Sequence, residues 1–266
     1  MSDKKKQKQK ITTKIIRQYK MNDKIKSARK KLQMLTCYDF QTAQLLDETD
    51  LDMILVGDSV GNVVLGYETT VEVTIEEMLV FAAAVRRGAE NTFLVVDLPF
   101  GSYSSFDLGL KNSCKLFQRS RAEALKLEGA HKYKLELIER LTQIGIPIMG
   151  HIGLTPQSVN ELGGYYLHGK EKERAKSLVQ EAKDLENAGA FSIVLECILP
   201  EVSEEITNSL SIPTIGIGSG NMVDGEVLVI NDLLKMGKER PPKFCRPLAD
   251  LYEYKKELIN KYLADR

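Results

Sequence analysis

The chain has 266 residues, 43% of them hydrophobic, which is enough to bury one large core or two small ones. Its 37 basic and 37 acidic side chains cancel, yet residues 1–31 hold 13 Lys or Arg against 2 Asp or Glu, leaving 24 against 35 for the rest. No apolar stretch approaches the roughly 18 residues that cross a bilayer, and the opening "MSDKKKQKQK" has no signal-peptide core, so a cytoplasmic protein with no membrane partner is expected.

Residues 1–31 read as a basic tail with one short amphipathic helix, because "TTKIIRQYKM" interleaves Ile15, Ile16 and Tyr19 with Lys and Arg. A basic arm can touch nucleic acid or anionic lipid, but no aromatic-rich reader motif accompanies it, so the expectation is a solvated tail and no nucleic acid. From Leu32 onward one catalytic domain, 32–266, is expected. Short apolar runs alternate there with longer segments of helical period: 32–38 "LQMLTCY", 52–58 "DMILVGD", 93–99 "FLVVDLP", 124–129 "ALKLEG", 146–153 "IPIMGHIG", 191–197 "FSIVLEC", 212–218 "IPTIGIG" and 226–232 "EVLVIND".

Between them, "TIEEMLVFAAAVRRG" opens on Thr74 with Glu77 three residues later, a capping-box pattern, and closes on Gly88. "KYKLELIERLTQIG" and "EKERAKSLVQEAKDLENAG" also end in glycine before the next strand, and "LTPQSV" sets Thr155 as N-cap and Pro156 at the first helical position. Eight strand and helix units in this length predict an α/β fold, a parallel eight-stranded (β/α)₈ TIM barrel. An open doubly wound sheet would carry a G-x-G-x-x-G after its first strand, and none is present. Cys37, Cys114, Cys197 and Cys245 are far apart and form no C-x-x-C pair, which argues against a zinc site and a disulfide framework.

Catalytic residues of such barrels stand at the carboxyl ends of the strands. The residues there are Asp58-Ser59, Asp97, Lys126 with Glu128, His151 and Glu196. A period of two puts Lys126 and Glu128 on one face, a cation and a carboxylate aimed into one mouth. Asp58, Asp97 and Glu128 are hard oxygen ligands suited to Mg²⁺; an acid-base network around Lys126 is the alternative reading. Glu196, inside an apolar run, is expected to be desolvated and so suited to taking a proton from carbon, or else to be satisfied by backbone donors. His151 lies between Gly150 and Gly153, where a ligand could approach, and it also reads as a core histidine. The glycines of "TIGIGSGNMVDG" suggest a phosphate cradle or tight turns.

These residues sit in longer motifs: "MLTCYD", "DMILVGDSVGNVVLGYETTVEVT", "AVRRGAENTFLVVDLPFGSY", "ALKLEG", "IPIMGHIGLTPQSV", "AGAFSIVLEC", "SIPTIGIGSG" and "DGEVLVINDLL". In that order and over nearly the full length they resemble the ketopantoate hydroxymethyltransferase family. The resemblance implies a large homo-oligomer, a decamer included, that transfers a one-carbon unit from 5,10-methylenetetrahydrofolate to 2-oxoisovalerate in pantothenate biosynthesis. It implies a Mg²⁺ site of Asp58, Asp97 and Glu128, with Ser59, Lys126 and His151 beside Asp58 and Asp97 on the oxo acid and Glu196 as base. Ser219 stands where the family usually has alanine, Asn231 where histidine is common, and "RAEALKLEGA" lacks the usual glycine before the fourth strand. Two other readings are a Mg²⁺-dependent 2-oxo-acid lyase or mutase of the isocitrate-lyase or phosphoenolpyruvate-mutase type, and a non-catalytic barrel used for binding.

Overall fold

The computed structural model describes residues 10–22, 31–164 and 166–265. The segments 1–9 and 23–30, to which most of the tail reading applies, lie outside the described residues. All eight apolar runs form strands: β1 Leu32–Thr36, β2 Met53–Val56, β3 Phe93–Asp97, β4 Ala124–Glu128, β5 Ile148–Gly153, β6 Ser192–Glu196, β7 Thr214–Ile217 and β8 Gly225–Leu228. Each pairs in parallel with the next, and β1 pairs with β8 through Leu32↔Gly225 and Met34↔Val227, closing the barrel.

The capping box of Thr74 and Glu77 opens helix Ile75–Gly88 as the sequence predicts. Gly88 plays another part than the expected cap. It is helical, and a Cβ there would lie 2.4 Å from the carbonyl oxygen of Phe40, so glycine lets this helix touch helix Phe40–Asp47. The eighth run is shorter than predicted: β8 stops at Leu228, and Asn231 and Asp232 lie in helix Ile230–Leu233. No helix separates β7 from β8, and the glycines after β7 lie beside the first residue of helix Pro200–Ser209. Gly218 and Gly220 adopt positive φ, packed against Phe244 and Pro200.

Two apolar layers result. One lies between the strands and the surrounding helices; the other fills the barrel itself, with Phe93 and Phe191 edge to face at 5.9 Å. Ile11, Ile16 and Tyr19, from the segment around helix Thr13–Arg17, belong to the inner layer and close its floor. The amphipathic pattern of "TTKIIRQYKM" therefore has its apolar side buried in the barrel.

Acids at the starts of the strands hold the backbone. Asp52 accepts the N–H of Gln33 at 2.8 Å, Glu123 that of Leu94 at 2.8 Å, and Asp224 that of Thr214 at 3.0 Å. Asp47 accepts four bonds, from the backbone N–H groups of Asn91 and Thr92, the Asn91 amide and the Thr92 hydroxyl. Partial burial pushes the Asp47 carboxyl up, but these bonds outweigh it and hold the group below its ordinary value of 3.8.

A lowered folded-state pKa contributes stability that is present above the unfolded value and lost as pH falls through the folded one. Asp47→Ala is expected to cost about 1–3 kcal/mol at neutral pH. The gap in denaturation midpoint between variant and wild type should close as the solution is acidified below pH 3.8. A gap that is constant with pH would show that the carboxylate charge is not what ties the segment before β3 to helix Phe40–Asp47.

Candidate active site

Along the barrel interior, side chains alternate inward and outward with a period of two. The inward series run Phe93, Val95, Asp97 on β3, then Ala124, Lys126, Glu128 on β4, and Met149, His151 on β5. The lower layers are apolar and the top layer is ionisable. These top residues, with Asp58, Ser59 and Glu196, line one cavity of about 120 Å³ at the carboxyl ends of the strands. Every site residue expected from the sequence lines it.

Asp58 reaches the mouth because the chain turns at Gly57. A Cβ at Gly57 would meet Ser59 Oγ at 3.0 Å and Asp97 Oδ2 at 3.3 Å, so this inward position must stay empty for Asp97 to keep its place. The Asp58 backbone N–H then donates to Asp97 Oδ2 at 3.1 Å. After the turn the chain forms a π-helical stretch, Gly61–Leu65, to which the sequence pattern gave no element.

Lys126, buried, pairs with Asp97 Oδ2 at 3.1 Å and stands 3.3 Å from His151 Nδ1. His151 Nδ1 is 3.4 Å from Glu128 Oε1, and its Nε2 is 3.1 Å from Glu196 Oε2. Both carboxylates lie off the hydrogen-bond direction, since Glu128 Oε1 and His151 Nε2 have no hydrogen-bond partner among the described residues; nor has Asp97 Oδ1. Burial and Lys126 act against protonation of His151, but Glu128 and Glu196 outweigh them and hold the imidazole up at about 9.

Three carboxylates thus share a buried mouth with one lysine. Desolvation, then the charges of Asp97 and Glu128, push Asp58 well above the usual carboxylate range; desolvation also raises Asp97 against the pull of Lys126. Glu128 is desolvated too, yet His151, Lys126 and the Gln157 N–H bring it below its ordinary value. The raised acids mark negative charge that the protein's own cations leave uncompensated. Among the described residues no three His, Cys, Asp or Glu side chains are already gathered as a metal cage. The donors nevertheless fit a hard divalent cation: all are oxygens, and Asp97 Oδ1 and Glu128 Oε1 are buried without a hydrogen-bond partner.

Glu196 departs from expectation. Its side chain keeps 17% exposure, the most open of the acids here, and faces the cavity. The residue after it, Cys197, takes a left-handed φ of 48°, unusual for a side chain of its kind. Gly153 permits the neighbouring chain to pass, since a Cβ there would lie 2.2 Å from the Glu196 carbonyl oxygen.

Sequence reasoning missed Gln157. "LTPQSV" reads as a plain helix start, and Pro156 does open a short 3₁₀ turn, though Thr155 makes no side-chain cap. Within that turn Gln157 is buried and donates from Nε2 to Asp58 Oδ2 at 2.7 Å and to the Leu98 carbonyl at 2.9 Å, while its N–H donates to Glu128 Oε2 at 3.2 Å. The Tyr103 hydroxyl donates to its Oε1. Tyr38 was missed as well; its hydroxyl lies 2.7 Å from Ser59 Oγ. Ser219 bonds the Leu195 carbonyl and the Ile198 N–H, joining the ends of β6 and β7.

The sequence profile of the ketopantoate hydroxymethyltransferase family matches residues 16–265. A 3-methyl-2-oxobutanoate hydroxymethyltransferase of Exiguobacterium sp. is 50% identical over 247 residues, 92% of this chain and 87% of that protein. Among solved structures, phosphoenolpyruvate phosphomutase from Streptomyces platensis subsp. rosaceus is similar with a TM-score of 0.66 at 11% identity, over 96% of this chain and 88% of that one. Phosphonopyruvate hydrolase in complex with oxalate and Mg²⁺ gives 0.60 at 10% identity, over 96% and 99%. The last two likenesses show the fold alone.

Gln157→Ala would leave Asp58, the Leu98 carbonyl and the Tyr103 hydroxyl each short of a partner. It should cost about 1–3 kcal/mol, a drop of several degrees in melting temperature by calorimetry. An unchanged melting temperature would mean that the bonds to Gln157 do not hold the acid cluster.

Proposed function

The chain belongs to the ketopantoate hydroxymethyltransferase family, and from that premise we propose that it transfers a hydroxymethyl group from 5,10-methylenetetrahydrofolate to 2-oxoisovalerate, giving 2-dehydropantoate in a cytoplasmic pantothenate pathway. The observation that carries the reading is one cavity in which an open carboxylate, Glu196, faces a buried cation and three further acids across an apolar wall of Leu55, Val194, Ile217 and Val227. The polar side suits the oxo and carboxylate oxygens of the substrate. The apolar side suits its branched tail.

In this reading Ser59, Lys126 and His151, with Asp58 and Asp97, receive the oxo acid. Mg²⁺ would be held by Asp58, Asp97 and Glu128, and when bound it supplies a Lewis acid that polarises the 2-oxo group. Glu196 removes the proton from C3; the C–H pair becomes the C2=C3 bond of the enolate, with negative charge on the former keto oxygen. Lys126, fixed by Asp97, keeps a positive charge near that oxygen. The enolate then forms the new carbon–carbon bond to the methylene carbon. Both bonds from that carbon to the folate nitrogens break, one water supplies the hydroxyl oxygen, and tetrahydrofolate leaves with the two protons. His151, in contact with Glu196 Oε2, orients the base and stabilises its carboxylate before the proton moves.

Self-association is part of the same proposal. It is supported by helix Leu251–Ala264, none of whose residues is buried and which exposes Tyr254, Leu258 and Ile259. Among the described residues no helix is long and apolar enough to cross a membrane. A lyase or mutase reading has only the shared barrel behind it.

Removal of the C3 proton precedes any contact with the one-carbon donor, so it should be visible without folate. With Mg²⁺ in heavy water the protein should exchange the C3 hydrogen of 2-oxoisovalerate for deuterium, followed by NMR. Glu196→Gln should slow this by roughly 10²–10⁴, as for loss of a positioned base, with oxo-acid binding retained. Exchange at the wild-type rate in that variant would remove Glu196 from its role.

A further inference from the structure

Two more cavities open beside the mouth, on the side of the loops after β3, β4 and β5. The larger, about 400 Å³, is lined by His131, Lys134, Tyr166 and Arg174 and equally by Glu161 and Glu181. The smaller, about 140 Å³, is walled by Phe100, Tyr103 and Tyr133, and also by Glu128 and Gln157 of the acid cluster. Lys134 and Ser158 line both, so the two adjoin; Glu128 lines the smaller one and the catalytic cavity alike.

Aromatic surface and positive charge are arranged in sequence along this groove. Phe100 is 50% exposed and Tyr133 38%, although each lies next to a built cavity where an apolar ring could be covered. The Lys134 ammonium stands 5.2 Å from the Tyr103 ring centre and 5.9 Å from that of Tyr133, and donates to the Glu128 carbonyl oxygen at 2.8 Å. No carboxylate comes within ion-pair distance of it among the described residues. Beyond it, Arg174 is paired with Glu181 through Nη1, and Tyr166 stacks on His168 at 4.5 Å. A ligand that matches this order is flat and aromatic at the end next to Glu128 and anionic at the far end.

Resting on the function proposed above, we propose that this two-part groove binds the folate co-substrate, with its rings against Phe100 and Tyr133 and its glutamate carboxylates at Lys134 and Arg174. The direction follows from the chemistry. The transferable carbon bridges two nitrogens at the ring end of a folate, so that end must meet the catalytic cavity, and the smaller cavity is the one that shares Glu128 with it. The glutamate end then lies in the larger cavity, where Lys134 has no ion-pair partner among the described residues and Arg174 is shared with Glu181.

Arg174→Met and Tyr133→Ala test this in the full-length protein, because neither side chain touches the acid cluster, whereas Lys134 bonds the Glu128 carbonyl. Arg174→Met should raise the KM for 5,10-methylenetetrahydrofolate by roughly tenfold, the loss of one charge-assisted contact. It should weaken tetrahydrofolate binding in calorimetry to the same degree, and Tyr133→Ala should do likewise. The KM for 2-oxoisovalerate and the folate-free C3 exchange should stay within about twofold of wild type. A wild-type protein that exchanges and transfers, with both variants keeping its folate KM and tetrahydrofolate affinity, would overturn the groove assignment alone. A wild-type protein that neither exchanges nor transfers would overturn the function, and the assignment with it.

Discussion

The buried ion pair of Lys126 with Asp97, 3.1 Å apart, is the contact on which the mouth of this barrel depends. Asp58, Asp97 and Glu128 converge there under burial, and without the lysine their mutual repulsion would drive them to protonate or to part. Removing one partner of such a pair strands the other, at a cost of about 3–5 kcal/mol. Burial first, and then the neighbouring acids that one lysine does not balance, hold Asp58 and Asp97 above the usual carboxylate range. A site held in that condition has a use for a further positive charge.

Acids serve opposite purposes at the two ends of the same strands. Asp52 precedes β2 and is satisfied by a backbone N–H of β1, while Asp58, six positions on, lies in the cavity with its pKa raised. Glu123 before β4 takes the Leu94 N–H and a forked contact from Arg86; Glu128 at the end of β4 keeps one oxygen without a hydrogen bond. The first kind stabilises the closure of the sheet. The second kind gathers at the carboxyl ends of the strands, while Ile16 and Tyr19 pack into the apolar layer below it.

Much of this was legible because a barrel strand has a strict period of two. Once β3, β4 and β5 were placed, Asp97, Lys126, Glu128 and His151 had to point to one side of the sheet, and the apolar residues before them showed that this side is buried. Asp58 was legible as the acid that ends the second apolar run, "DMILVGD". Depth was not legible. Periodicity says which way Glu196 faces but not that solvent reaches it, because that depends on loops folding over the mouth. Gln157 escaped because Pro156 fully accounts for a helix start, and nothing local says that a helix start will land on Asp58, 99 positions earlier in the chain. The "TTKIIRQYKM" pattern announced a helix without saying what it would cover, since the floor of the barrel is made of residues from across the chain.

A divalent cation held by Asp58, Asp97 and Glu128, as proposed above, would relieve the surplus of negative charge in the mouth. Titration of Mg²⁺ into the protein in mildly acidic solution, repeated in two buffers of different ionisation enthalpy, measures both binding and the protons that accompany it. Because Asp58 and Asp97 are raised in the free protein, Mg²⁺ should bind and displace protons into the buffer. Absence of binding, or binding whose heat is the same in both buffers, would contradict the claim that these acids await a cation.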